Sequence, residues 1–92
     1  MPQIMSEHVL FTGRVQGVGF RYTVRSFASR YPIKGYVKNL PDGAVELVAQ
    51  GSPAAINGLL MEIVEYFRDN IANYERRQID APETFTHFDI RF

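Results

Sequence analysis

HVLFTGRVQGVGFRYTVRSFASRYP, residues 8–32, changes the period of its apolar residues partway along. Val9, Phe11, Gly13 and Val15 alternate with His8, Leu10, Thr12 and Arg14, the period of two that sends successive side chains to opposite faces of a strand. Leu10 interrupts the polar side, which predicts a central strand covered in part on both faces. After the glycines, Phe20, Val24, Phe27, Ala28 and Tyr31 fall on one face of a helix, and Pro32 and Gly35 predict its end. Between strand and helix lies GRVQGVGFRY, Gly13–Tyr22, with three glycines and two arginines in ten residues. Neither residue type builds a core, so the stretch asks for another explanation.

Outward from this point, GYVKNL (35–40) predicts a second strand, PDG (41–43) a turn, and AVELVAQG (44–51) a third strand with Val45, Leu47 and Ala49 on one side. Ser52 and Pro53 are an N-cap and a first helical residue, followed by a second amphipathic helix through Ile56, Leu59, Leu60, Ile63 and Phe67. In YERRQID (74–80) Tyr74, Arg76 and Gln78 share a parity, and in FTHFDIRF (85–92) Phe88, Ile90 and Phe92 do. The order is β, α, β, β, α, β, with the last strand region open to division in two. That is the ferredoxin-like α+β pattern, an antiparallel sheet of order 4-1-3-2 with both helices on one face. A strand, helix, strand crossover makes strands one and two parallel, so the glycine loop and Asn39 are expected at the same sheet edge. With strand three between them their backbones are about 10 Å apart.

At 92 residues the chain is expected to form one domain, residues 1–92. An apolar fraction of 46% and an aromatic fraction of 13% suit a packed fold and exclude a disordered one. There is no cysteine, hence no disulfide, thiolate metal site or thiol nucleophile. The N-terminal MPQIMSEH has neither a signal peptide's pattern nor a transmembrane run, which makes a cytoplasmic protein with no membrane partner the expectation. The net charge of zero hides an asymmetry. From His8 to Pro41 there is no acid, while Arg14, Arg21, Arg25, Arg30, Lys34 and Lys38 supply six positive charges; the rest of the chain has ten acids and four bases. A local field able to attract an anion follows, with Arg25, Arg30 and Lys34 read as a solvated basic face and Arg21 set apart by its position.

The glycine stretch is where such an anion would sit. A strand turning through Gln16, Gly17, Val18 and Gly19 into a helix at Phe20 or Arg21 leaves the first helical N–H groups without intrahelical partners, at the positive end of the helix dipole. Glycine admits the positive φ that turns successive N–H groups inward. Arg21, in the first turn, can close over a phosphate-sized dianion with a planar fork of donors. There is no Gly-Lys-Ser/Thr and no third glycine of a dinucleotide fingerprint, so neither nucleotide motif applies. A plain tight turn with Arg21 on the surface remains the other reading of the loop, and a turn residue ahead of PDG the other reading of Asn39.

GRVQGVGFR followed by GYVKNLPDGAV resembles the paired signature of the acylphosphatases, and the closing FDIRF is similar to that family's last strand. The resemblance implies a ferredoxin-like fold and hydrolysis of acyl phosphates to a carboxylate and inorganic phosphate. It places the phosphate-binding arginine on Arg21, the phosphate-binding loop on Gln16, Gly17, Val18, Gly19 and Phe20, and the water-positioning asparagine on Asn39. It implies no cofactor, no metal and a small-molecule substrate; ten charged residues of each sign with no dominant surface stripe leave a monomer as the default. RDNIANYERR (68–77) departs from the Gly-Pro pair many members carry before strand four, which leaves that boundary open. Gly19, at a position where some animal members have cysteine, resembles microbial forms. The chain stops on the last strand, which makes the terminal carboxylate of Phe92 a candidate neighbour of the site.

The implied chemistry agrees with the residues. A carboxylate leaving group has a conjugate-acid pKa of about 4 to 5 and departs without a general acid. Phosphoryl transfer through a loose transition state depends on positioning and charge stabilisation. Asn39 is no base, because an amide is neutral, but it can accept a proton of water and aim its oxygen at phosphorus. His8 and His87 are expected as strand-surface residues, Asp42 and Glu46 as hairpin residues, and Tyr22 and Tyr36 as packing or site-wall aromatics. From a different class, a ferredoxin-like sheet with basic and aromatic residues could bind RNA or another anion without catalysis, and an accessory domain of a larger enzyme is a third reading.

Overall fold

β1 (Met5–Gly13) lies between two antiparallel partners, β3 (Val45–Gly51) and β4 (Ile71–Ile79), in a computed structural model that describes residues 3–92; Met1 and Pro2 of the expected domain lie outside the described residues. Val9 and Phe11 are fully buried while His8 and Leu10 differ, Leu10 being half-covered. This is the two-sided burial that Leu10 predicted. β2 (Lys34–Asn39) pairs antiparallel with β3, so β1 and β2 run parallel, joined by α1 (Phe20–Ala28). α2 (Pro53–Tyr66) connects β3 to β4.

The sheet has five strands in the order β4-β1-β3-β2-β5, one more than the expected 4-1-3-2. The last strand region is split: Ile71–Ile79 takes the edge beside β1, and β5 (Phe88–Arg91) adds to the opposite edge, parallel to β2, with Val37 opposite Ile90. Of the three residues expected to share a side there, Ile90 is buried and Phe92 is 84% exposed, because β5 ends at Arg91.

Val9 and Phe11 of β1, Val37 of β2 and Val45, Leu47 and Ala49 of β3 form one buried cluster with Phe20, Val24 and Ala28 of α1 and Ile56, Leu59, Leu60 and Ile63 of α2. Both helices therefore cover the same face, as the periodicity predicted. Each large aliphatic or aromatic side chain buried there contributes roughly 1.5–3 kcal/mol. Phe20 meets Phe11 edge-on at 5.1 Å and Phe67 at 4.5 Å between ring centres. α1 stops at Ala28, earlier than its apolar pattern, because Arg30 and Tyr31 bond back three residues to Phe27 and Ala28. Tyr31 leaves the helix and donates its hydroxyl hydrogen to Glu62 Oε1 at 2.5 Å. α2 starts where the sequence said it would: Ser52 Oγ accepts from the Ala55 N–H at 3.1 Å and Pro53 opens the helix. No helix among the described residues is long and apolar enough to cross a membrane.

Among the described residues one charge is buried. Glu7, 5% exposed, accepts from Arg76 Nε at 2.7 Å and Nη2 at 2.9 Å, and the same Nη2 donates to Asn57 Oδ1 of α2 at 2.8 Å. The Glu7 hydrogen bonds hold the Arg76 guanidinium more firmly protonated than usual. Removing one member of such a pair leaves the other uncompensated. Glu7→Ala is expected to lower stability in urea denaturation by about 2–3 kcal/mol, the lower end of the range because Arg76 remains partly solvated, and adding Arg76→Ala should recover part of that loss.

Candidate active site

Val45 of β3 has Phe11 of β1 on one side and Asn39 of β2 on the other. The ends of β1 and β2 therefore lie at one sheet edge, two strand spacings apart, about 10 Å. The glycine loop leaves β1 at this edge. Gly17 has φ 75° and Gly19 φ 77°, and an added Cβ would meet nothing within 4 Å at either. Backbone conformation, and not crowding, calls for glycine there. Gly19 is the N-cap of α1 and makes no side-chain cap; its carbonyl accepts the first helical bond, from the Thr23 N–H at 3.0 Å. The N–H groups of the first turn are thus left to whatever occupies the space before them. No acid lies in that turn.

Two ties hold the loop. Gln16 Nε2 donates to the carbonyls of Leu40 at 2.7 Å and Ala44 at 2.9 Å, the two ends of the β2–β3 hairpin turn. That turn is closed by Leu40 N–H to Ala44 O at 2.9 Å and by Ala44 N–H to Asp42 Oδ1 at 3.0 Å. On the other side the Arg14 N–H donates to Asn70 O at 2.9 Å, and Asn70 Nδ2 returns a bond to Arg14 O at 3.2 Å. One glutamine side chain thus links the glycine loop to the strand end that carries Asn39.

Between them is a cleft of about 220 Å³ lined by Val15, Gly17, Gly19, Phe20, Arg21, Tyr22 and Asn39. Of the residues singled out in the sequence, the structure brings Gly17, Gly19, Phe20, Arg21 and Asn39 to this cleft. Gln16 and Val18 do not line it: the Gln16 side chain is spent on the hairpin, and Val18 points outward, 43% exposed. Arg21 Nη1 donates to Arg91 O at 3.5 Å, and its guanidinium lies 4.8 Å from the centre of the Phe92 ring. Phe92 thus meets Arg21 through its ring. Asn39 Oδ1 is buried with no hydrogen-bond partner. A buried acceptor left open costs about 1–3 kcal/mol unless something donates to it, and Asn39 lines the same cleft as Gly17, Gly19 and Arg21. A larger groove, about 700 Å³, runs between α1 and the start of β5; Tyr22 lines both concavities. It has neither the positive-φ loop nor the unpaired acceptor, so the smaller cleft is the candidate for chemistry.

The remaining polar residues belong elsewhere. Tyr36 donates to Glu46 Oε1 at 3.0 Å; burial first, then that bond, push its hydroxyl up to about 12. His8 Nε2 lies 3.0 Å from Glu46 Oε2, and the Arg91 guanidinium stacks 4.1 Å from the Tyr36 ring while Glu83 binds its far side. These residues share the sheet face away from the helices. His8, Tyr36, Glu46 and Arg91 are committed there to internal pairs, while Lys38 and Arg77, which the register places on the same face, make no ion pair among the described residues. His87 and Asp89 pair at 3.3 Å on the exposed strand edge. Tyr22 is a cleft wall; Tyr36 is not. Sequence reasoning missed two contributors, the Gln16 amide and the Phe92 ring. Neither has a signature in the local sequence, because each acts on a partner far along the chain.

Comparison with known proteins bears on the family and the fold. A family model described as Acylphosphatase matches residues 7–90. An acylphosphatase of Gloeobacter violaceus is 38% identical over 90 residues, spanning 98% of this chain and 97% of that protein. The crystal structure of an acylphosphatase from Bacillus subtilis superposes with a TM-score of 0.84 at 27% identity, covering 98% of this chain and all of that one. A full-length HypF structure in a phosphate- and nucleotide-bound form matches with a TM-score of 0.85 at 28% identity, over all of this chain but 12% of that one.

The open acceptor makes a prediction about stability alone. Asn39→Ala removes a buried group that nothing satisfies, so in chemical denaturation without added anion the variant should be as stable as the parent or up to about 1 kcal/mol more stable; a loss above about 1 kcal/mol would mean that Asn39 is a structural turn residue.

Proposed function

The chain belongs to the acylphosphatase family and is a hydrolase acting on small acyl phosphates; we propose that the cleft at the end of β1 and β2 is where it does so, with Arg21 and Asn39 in the catalytic roles. The phosphoryl group sits on the backbone N–H groups that Gly17, Gly19 and Phe20 of the Gln16–Phe20 loop bring to the cleft, with the Arg21 guanidinium closing over its equatorial oxygens. Positive φ at two glycines and an uncapped helix start with no acid nearby support this placement. The observation that carries the reading is the buried, unpaired Asn39 Oδ1 in the same cleft. It accepts a hydrogen bond from a water and fixes that oxygen in line with phosphorus, opposite the leaving carboxylate.

In the reaction the water oxygen bonds to phosphorus as the bond from phosphorus to the carboxyl oxygen breaks. The carboxylate leaves with the bonding pair and needs no acid, and the water's proton passes to the phosphate or to solvent. Charge stays spread over the phosphoryl oxygens throughout, so fixed donors stabilise the transition state without moving. We read residues 1–92 as one domain working as a cytoplasmic monomer without metal or cofactor. The short match to a much larger protein keeps the accessory-domain reading distinct from this one, and activity of the isolated chain separates them.

Benzoyl phosphate hydrolysis by the purified chain in EDTA is the test. Arg21→Ala and Asn39→Ala should each lower kcat about a hundredfold or more, corresponding to about 3 kcal/mol of barrier, with the fold retained by circular dichroism. Absence of turnover, or parental rates in both variants, would overturn the assignment.

A further inference from the structure

The phosphoryl cleft is small, and whatever the phosphate is attached to must leave it past its wall. Tyr22 is that wall, and on its other side begins the larger groove between α1 and the start of β5. The groove has apolar surfaces from Tyr22, Ala28, Ile33 and Phe88, suited to the body of an acyl group. It also has a cation at its near end: the Arg25 guanidinium lies 5.4 Å from the centre of the Tyr22 ring. Arg25 is four residues beyond Arg21, about 6 Å along the helix axis. Among the described residues it makes no ion pair, and neither does Lys34 at the groove's far end.

Resting on the activity proposed above, we propose that the preferred substrate is an acyl phosphate whose acyl group carries its own negative charge, and that Arg25 recognises that charge across the Tyr22 wall. The other charged groups facing Arg25 leave it available. His87 lines the groove, and Asp89 beside it is already engaged by the Ile90 N–H at 2.8 Å and by His87 at 3.3 Å. Those two bonds, in that order, hold the Asp89 carboxyl below its usual range, with Arg25 adding a smaller share through space. Arg25 and Lys34 against Asp89 leave the groove with one surplus positive charge, and with two when His87 is protonated. A neutral acyl group gains only the apolar walls. An acyl group with an anionic end about one helical turn from phosphorus gains a cation as well, which raises both its encounter rate and its residence.

The pair 4-carboxybenzoyl phosphate and benzoyl phosphate isolates this effect, since the para carboxylate lengthens the acyl group by a charge and cannot reach its own carbonyl. At low ionic strength the ratio of kcat/KM values should favour the carboxylated substrate about three- to tenfold, and about 0.5 M salt should draw the ratio toward one. Arg25→Gln should bring it near one and Arg25→Glu below one, while Arg68→Gln, an exposed arginine paired with Glu65 after α2, should keep the parental ratio. A parental ratio near one, or a ratio that Arg25→Glu does not move, overturns the proposal while leaving the activity standing. Failure to hydrolyse either substrate overturns the activity and the proposal with it.

Discussion

Phe20 is the first residue of α1 and is all but fully buried, wedged between Phe11 of β1 and Phe67 at the end of α2. This packing fixes where the helix begins. Because Phe20 must reach the core within a few residues of the end of β1, the chain cannot wander, and it makes the turn through two glycines in the left-handed region. Successive helical residues are rotated by about 100°, so with Phe20 in the core Arg21 is turned out of it, toward the loop donors and the end of β2. Core packing and the arginine's aim are two results of one constraint.

The same region shows what the fold gives up. Two glycines stand where the chain must be held at positive φ, the helix start has no side-chain cap, and a buried amide oxygen has no donor. Each is a local loss, and these three lie within one cleft, although Gly13, Gly35 and Gly43 are held at positive φ elsewhere, while strand pairing, the Ser52 cap and the Glu7–Arg76 pair satisfy other parts of the chain. Local losses gathered in one cleft support the proposal that it takes a ligand. The ties from Gln16 and Asn70 keep the donors and the acceptor from drifting apart when the cleft is empty, so little reorganisation remains for binding to supply.

Most of this was legible because it is periodic or local. Alternation at Val9 and Phe11, helical spacing at Phe20, Val24 and Ala28, and the Ser52–Pro53 start each depend on neighbours in sequence, and the crossover rule carried Asn39 to the loop's edge. What was not legible depends on partners far along the chain. Four residues of FDIR alternate well enough to announce a strand, but nothing in them says which sheet edge is free, so β5 beside β2 came only with coordinates. Gln16 read as a loop residue, since a side-chain bond to carbonyls 24 and 28 positions away has no signature. Phe92 read as sharing a side with Phe88 and Ile90 because parity continues past the strand's end, where the pleat no longer governs its direction.

β4 was the strand hardest to recognise, for its charges, and it is also the long outer strand of the sheet, nine residues with most side chains in solvent. An outer strand offers a row of free N–H and C=O groups to any second chain that approaches it in extended form. Glu75, Arg76 and Arg77 stand along that row. A second copy aligning beside β4 would have to strip water from these charges, and in parallel register would bring like charges together, so the residues that blurred the strand's pattern disfavour stacking edge to edge into fibres.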